Sequence, residues 1–303
     1  MTQESLFEEF PKKRRSLFFD VFRYNLVPHI QTPDKQEAIF DIKTIEELKQ
    51  KAIESKNKYF AELLLNVLPY INPQKSRLSF QLKANNNSVF LFRVGHRKDA
   101  ILQDYKFNEK REENWEDIFI IFDNNPERQY IYVQKNTVAF RETTEAINKL
   151  RSLFNQVLKR VQLIVEINPV PKQRTFWEIV QRHPLAVKKV EFKLSAPNLP
   201  QLSQFLSEEL KDLARTTTAS NVKLSLESEN AGVLSLDQQR DLNLNGIVQC
   251  VEHGGGTASI FIKGYKKMNL TSEGQITTVS IDSLEIERAT DQDVKDLIGK
   301  LHE

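Results

Sequence analysis

Residues 116–168 carry the sharpest changes of hydrophobic period in the chain. Ile118-Phe119-Ile120-Ile121-Phe122 is a continuous apolar run of β-branched and aromatic residues, which predicts a strand buried on both faces. Asp123-Asn124-Asn125-Pro126 is turn chemistry, since Asx side chains bond nearby backbone and proline restricts φ. Tyr130 to Val133 returns as a second strand, so the pair reads as a hairpin. From Thr143 the spacing lengthens. Ala146, Ile147, Leu150, Leu153, Phe154, Val157 and Leu158 recur every three or four residues, which predicts a helix with one apolar face. Thr143 or Thr144 is its expected cap, and Lys159 and Arg160 suit the negative end of its dipole. Gln162 to Ile167 is again a strand, ended by Pro169 and Pro171.

The flanks follow the same logic. Ser16 to Val27 reads as a strand in which Arg23 interrupts an aromatic face. Thr44 with Glu47 makes a capping box, with a helix expected to about Ser55 and a second from Tyr59 to Leu68, stopped by Pro69. Arg77 to Lys83 and Ser88 to Val94 pair around a polar turn at Asn85-Asn86-Asn87. Gly95-His96-Arg97-Lys98, Lys106, Lys110 and Arg111, interleaved with Glu109, Glu112 and Glu113, read as a mixed charged loop. Beyond Pro171 come a helix from Thr175 to Arg182, an alternating strand from Lys188 to Leu194, an amphipathic helix from Leu202 to Ala214 and a strand from Val222 to Leu226. A helix from Leu236 to Val251, interrupted at Gly246, precedes a flexible joint at Gly254-Gly255-Gly256. Ser259 to Ile262 and Ile276 to Ile281 then look like hairpin strands, and a helix from Asp291 to Leu301 is capped by Asp291. The expected class is α+β: mixed sheets with covering helices in a two-lobed chain. The expected divisions are an N-terminal domain at 1–167, a small mobile lobe at 168–232, and a C-terminal hairpin and helix at 233–303 packed on the N-terminal domain.

Composition narrows the function classes. With 303 residues, of which 40% are hydrophobic, a sizeable core is affordable. The 43 basic and 41 acidic residues nearly cancel, so any basic surface must come from segregation of charge. The single cysteine, Cys250, excludes an internal disulfide framework or thiolate cluster and suits a reducing compartment. No apolar run approaches the roughly 20 residues of a membrane span, and the acidic start lacks a signal-peptide core, so a cytoplasmic protein without membrane insertion is expected. His29, His96, His183, His253 and His302 show no ligand spacing, so no metal and no cofactor is expected. The glycines at 254–256 do not join a strand to a helix and make no phosphate loop, and no catalytic nucleophile stands out.

Two constellations carry candidate chemistry. Lys12, Lys13, Arg14 and Arg15, Arg23 beside Tyr24, Lys188, Lys189 and Lys193, and Lys263, Tyr265, Lys266 and Lys267 place basic groups near aromatics, as a phosphate-binding surface would require. Scattered solubilising charge is the plainer reading of the same residues. Glu191-Phe192-Lys193 has the E-x-K spacing of restriction-type nucleases, where a strand presents a metal-binding carboxylate and a lysine together. The preceding metal-binding aspartate is missing, and alternation alone generates E-x-K on many solvated strands.

The order of segments also carries a resemblance. The Ile118–Phe122 strand, a returning strand ending near Val138-Ala139-Phe140, the long helix, Glu166-Ile167-Asn168-Pro169, and Lys189-Val190-Glu191-Phe192-Lys193-Leu194-Ser195-Ala196-Pro197-Asn198 resemble bacterial proteins associated with phage defence. They are similar in layout to the phage lambda exclusion protein RexA. The resemblance implies a two-lobed, homodimeric DNA-binding protein without known catalysis, and it offers no catalytic residue to transfer. The expectation is a sequence-tolerant DNA-binding protein of an anti-phage or phage-exclusion system. A metal-dependent nuclease using Glu191 and Lys193 is one rival. A sensor or interaction subunit with a membrane-protein or other defence partner is another.

Overall fold

A computed structural model describes residues 15–29, 42–86, 88–103, 105–172, 175–195, 207–209, 221–229, 232–263, 268–269 and 276–302. Lys12, Lys13, Arg14, Tyr265, Lys266 and Lys267 lie outside these residues, as does the helix expected from Leu202 to Ala214, apart from 207–209. The fold is α+β, with two antiparallel sheets and covering helices.

The first sheet contains β1 (Ser16–Pro28), β2 (Leu78–Asn86), β3 (Val89–Gln103), β4 (Glu109–Asp123), β5 (Tyr130–Gln134), β6 (Leu163–Pro169) and β11 (Thr278–Asp282), in the order β11-β1-β5-β4-β3-β2, with β6 also on β1. β11 pairs with Ser16 to Asp20 and β6 with Phe22 to Pro28, so they share one edge of β1 end to end, while β5 takes the other. Both faces are covered. Phe22, Tyr24, Leu26, Ile118, Ile120 and Phe122 pack under α1 (Ile42–Asn66) and α3 (Thr143–Leu158). Phe19, Val21, Phe119, Ile121 and Tyr132 point the opposite way, onto α6 (Ser283–Arg288) and α7 (Val294–His302). This is why the Ile118–Phe122 run is apolar at every position. A short helix, α2 (Pro73–Ser76), precedes β2.

The second sheet has the order β10-β9-β7-β8, from β7 (Val187–Ser195), β8 (Asn221–Glu227), β9 (Gly256–Ile262) and β10 (Met268–Asn269). α4 (Thr175–Arg182) and α5 (Leu242–Glu252) cover one face, with Phe176, Trp177, Val190, Phe192, Val248, Val251 and Ile260 in the core between. Trp177 donates its indole N–H to Asn245 Oδ1 at 3.1 Å, fastening α4 to α5.

Several expectations are corrected by packing. The two N-terminal helices are one: Ser55-Lys56-Asn57-Lys58 reads as a break, yet Asn57 bonds the β4–β5 turn, donating to Asn124 O and accepting from Gln129. The charged loop at 95–113 is instead mostly β-ribbon, its strands in register from Gly95–Asp117 to Gln103–Glu109, with Glu113 3.2 Å from Arg97 across them and Glu112 2.5 Å from Lys110 along β4. Thr143 does not cap α3; its hydroxyl donates to the buried Asp20 at 2.7 Å, and Glu142 is the N-cap. β9 and β11 do not form a hairpin, since β9 joins β7 and β11 joins β1. The second sheet thus takes strands from both sides of residue 232. Gly246 lies inside α5. The triple glycine is a close-packed crossing: a Cβ on Gly256 would stand 2.2 Å from Lys193 O, and one on Gly254 (φ +79°) 2.6 Å from Arg23 Cβ. Asp291 does not cap the last helix but accepts from Asn85 N at 2.8 Å, while Asp293 accepts from Thr290. Among the described residues, no helix is long and apolar enough to cross a membrane.

Candidate nucleic-acid interface

Strand alternation builds the other face of the second sheet, on which no helix lies among the described residues. With Val190, Phe192 and Leu194 committed to the core, Lys189, Glu191 and Lys193 must point away from it. The register aligns three rows across β8, β7 and β9: Lys223, Lys193 and Thr257; Ser225, Glu191 and Ser259; Glu227, Lys189 and Phe261. Neighbouring strands are about 4.8 Å apart and successive rows about 7 Å. Three lysines thus share a small patch with two glutamates and one aromatic ring.

The patch is electrostatically organised. Lys189 Nζ lies 3.0 Å from Glu191 and 3.2 Å from Glu227, and 5.6 Å from the centroid of the Phe261 ring. Its hydrogen bonds to Glu191 and Glu227 raise its pKa, so it is cationic at neutral pH. Lys223 Nζ is 3.7 Å from Glu191. Lys193 is exposed and makes no salt bridge among the described residues. Lys189 and Glu191 are half-buried, whereas Glu227 and Lys223 are exposed and their pairs contribute little stability, so Lys223 can exchange its carboxylate for a phosphate oxygen at small cost.

The expected site residues separate. Lys189 and Lys193 come together, and Lys263 is exposed two residues beyond Phe261. Lys188 is half-buried at a bulge in β7, and its carbonyl accepts from Ser228 N at 3.0 Å. Arg15 is exposed but belongs to the first sheet, where its backbone pairs with Ser283. Arg23 is no surface contact, being 1% exposed. Its guanidinium donates to the carbonyls of His253 (3.0 Å) and Glu127 (3.1 Å) and lies 4.9 Å from the Tyr130 ring centroid, so it ties β1 to the crossing after α5. Burial lowers its pKa. Lys223 and Phe261 are members of the patch that the sequence reading passed over. The rule that points Lys193 outward would have found both.

Glu191 lies in a cationic setting among the described residues. Its neighbours are Lys189 and Lys223, and among the described residues no group of three or more His, Cys, Asp or Glu could hold a metal ion. Cys250 is buried, and desolvation pushes its thiol up to about 12, which suits packing rather than nucleophilic chemistry.

A polar joint sets the second sheet against the first. Glu166 on β6 accepts from Ser195 Oγ at 2.8 Å and from Asn221 Nδ2 at 2.6 Å, and Asn168 donates to Ser195 Oγ at 3.1 Å. The open face is therefore anchored at the end where β7 and β8 meet β6.

Residues 86–282 match the family model described as a domain of unknown function, DUF4747. The chain belongs to this family. The matched span runs from the last residue of β2 to the last of β11, and so contains the whole second sheet, its open face and the β3–β4 ribbon. No curated protein and no solved structure matches the chain.

Proposed function

We propose that the protein is a non-catalytic, sequence-tolerant DNA-binding protein that lays the phosphate backbone across the open face of its second sheet. The observation that carries this reading is the placement of Lys189, beside Phe261, and of Lys193 and Lys223, two rows further along, on one face that no helix covers among the described residues, with Lys263 at its margin. Lysines are point charges suited to phosphate, and they lack the planar fork that reads guanine edges. Serine and threonine hydroxyls between them can bond phosphate oxygens without specifying sequence. A role in phage defence or exclusion, with a second copy or a defence partner, rests on the resemblance of the segment order and belongs to the same proposal.

The test is titration of a duplex of about 20 base pairs at several salt concentrations, since log K should fall by roughly 0.9 per phosphate neutralised. Lys193→Glu/Lys223→Glu should weaken binding to all duplexes alike and flatten that slope by at least one contact. Absence of wild-type binding at low salt would end the proposal. Magnesium- or manganese-dependent cleavage that disappears in Glu191→Ala would replace it with the nuclease reading.

A further inference from the structure

The β3–β4 ribbon outruns the sheet it belongs to. β2 follows β3 as far as His96, and Arg97 N still bonds Arg77 O. From the Asp99–Glu113 pair to the Gln103–Glu109 pair, the two strands' backbones pair only with each other among the described residues, and the Asp99 side chain still accepts from Arg77 at the base. Five registered pairs correspond to an arm about 17 Å long. At its end Tyr105 is 85% and Phe107 81% exposed, with Lys106 between them and its Nζ 5.4 Å from the Tyr105 ring centroid. Phe107 has φ +63°, a left-handed conformation that a bulky residue adopts at a cost and that glycine or asparagine would fill more readily. Folding gains nothing from a strained phenylalanine held in water, so the ring calls for another explanation.

We infer that this tip is a stacking platform for unpaired bases, with Tyr105 and Phe107 taking base faces and Lys106 the phosphate between them. The inference rests on the nucleic-acid reading of the second sheet and adds a preference for single-stranded or unstacked nucleic acid. Magnitudes favour a base over a protein surface. Two rings offer about 150–250 Å² each, well short of the roughly 1,000 Å² of a specific protein interface, and the β4 strand of the arm, Glu109 to Glu113, is charged throughout. Stacking needs one ring face per base and is indifferent to sequence. The arm has five basic and five acidic residues between Arg97 and Glu113, so it neither draws in nor repels a backbone. Binding at the tip should accordingly depend little on salt, in contrast to the lysine face.

The experiment compares a single strand of about 20 nucleotides carrying a central 2-aminopurine with the duplex of the same sequence. Wild type should bind the single strand more tightly and quench the probe. Tyr105→Ala/Phe107→Ala should weaken single-strand binding by roughly ten- to a hundredfold and abolish the quench, while duplex affinity and its salt slope stay unchanged. Lys193→Glu/Lys223→Glu should do the reverse, flattening the slope and keeping the quench. Phe107→Asn, which suits the backbone, should reproduce part of the loss with the fold intact. Quenching and single-strand affinity that survive in the tip variant overturn the inference and leave the sheet reading standing. Wild-type duplex binding without a single-strand preference or quench does the same. Failure of wild type to bind either probe overturns both. A tip variant that changes only self-association in sedimentation velocity makes the arm a protein contact and also overturns the inference.

Discussion

The two sheets are made of similar antiparallel strands, but among the described residues helices cover the first on both faces and the second on one. In the first sheet every position of Ile118–Phe122 meets a core, and polar groups inside it are tied to one another: Asp20 accepts from Thr143 and Thr278, and Asn124 accepts from Tyr24 at 2.7 Å. In the second, alternate positions meet solvent, and their charges are satisfied by exchangeable partners across the strands. A sheet buried on both sides has no surface left for recognition, so binding should fall to the one-sided sheet and to the part of β3–β4 that leaves the body. On the proposed reading, the first sheet holds those two surfaces in place.

That contrast can be broken by substitution. The largest effect is expected in the aromatic cluster, where the Phe122 ring centroid is 5.8 Å from that of Phe92 and 5.9 Å from that of Phe154. Phe122→Ala should cost about 3–5 kcal/mol in chemical denaturation, whereas Phe261→Ala, on the open face, should cost well under half as much and show itself in DNA binding. Equal losses would mean that the open face is covered in solution.

The crossing between the sheets should be intermediate. Gly256→Ala forces a Cβ against the Lys193 carbonyl and should destabilise by about 1–3 kcal/mol. Glu166→Gln keeps the shape but weakens the charge-assisted bonds to Ser195 and Asn221, a loss of about 1–2 kcal/mol. Hydrogen exchange should localise both losses to β7–β9. Uniform loss across both sheets would show a single cooperative unit.

A pH effect follows from Lys56, which burial brings from 10.5 down to about 8, with Glu127 partly opposing. Between those values the unfolded chain holds the proton more tightly than the folded one. Stability should therefore rise with pH across that window, by at most roughly 1.4 kcal/mol per unit, and be independent of this group below it. Lys56→Met should lack the rise. Wild type and variant with parallel stability between pH 8 and 10 would contradict the depressed value. The smallest effect is at the arm: Phe107→Asn should leave stability unchanged or raise it by no more than about 1 kcal/mol, while lowering single-strand binding.

Hydrophobic spacing alone determined much of this protein. The continuous run at Ile118–Phe122 specifies two-sided burial, and the alternation of Lys188–Leu194 specifies a strand with one wet face, because side-chain period is a local property of the backbone. The same spacing was enough to orient Lys189 and Lys193. Tertiary structure decided what depends on partners distant in sequence. Ser55 to Lys58 looks like a break until the β4–β5 turn supplies its hydrogen bonds, and the glutamates at 112 and 113 look like dilution until they pair with lysine and arginine along a ribbon. Arg23 reads as a basic group beside a tyrosine, but carbonyls more than a hundred residues away make it an interior strut. β11 joins β1 rather than β9 because an edge of β1 and an apolar face for Ile281 are available there, and neither is visible in the residues of β11 themselves.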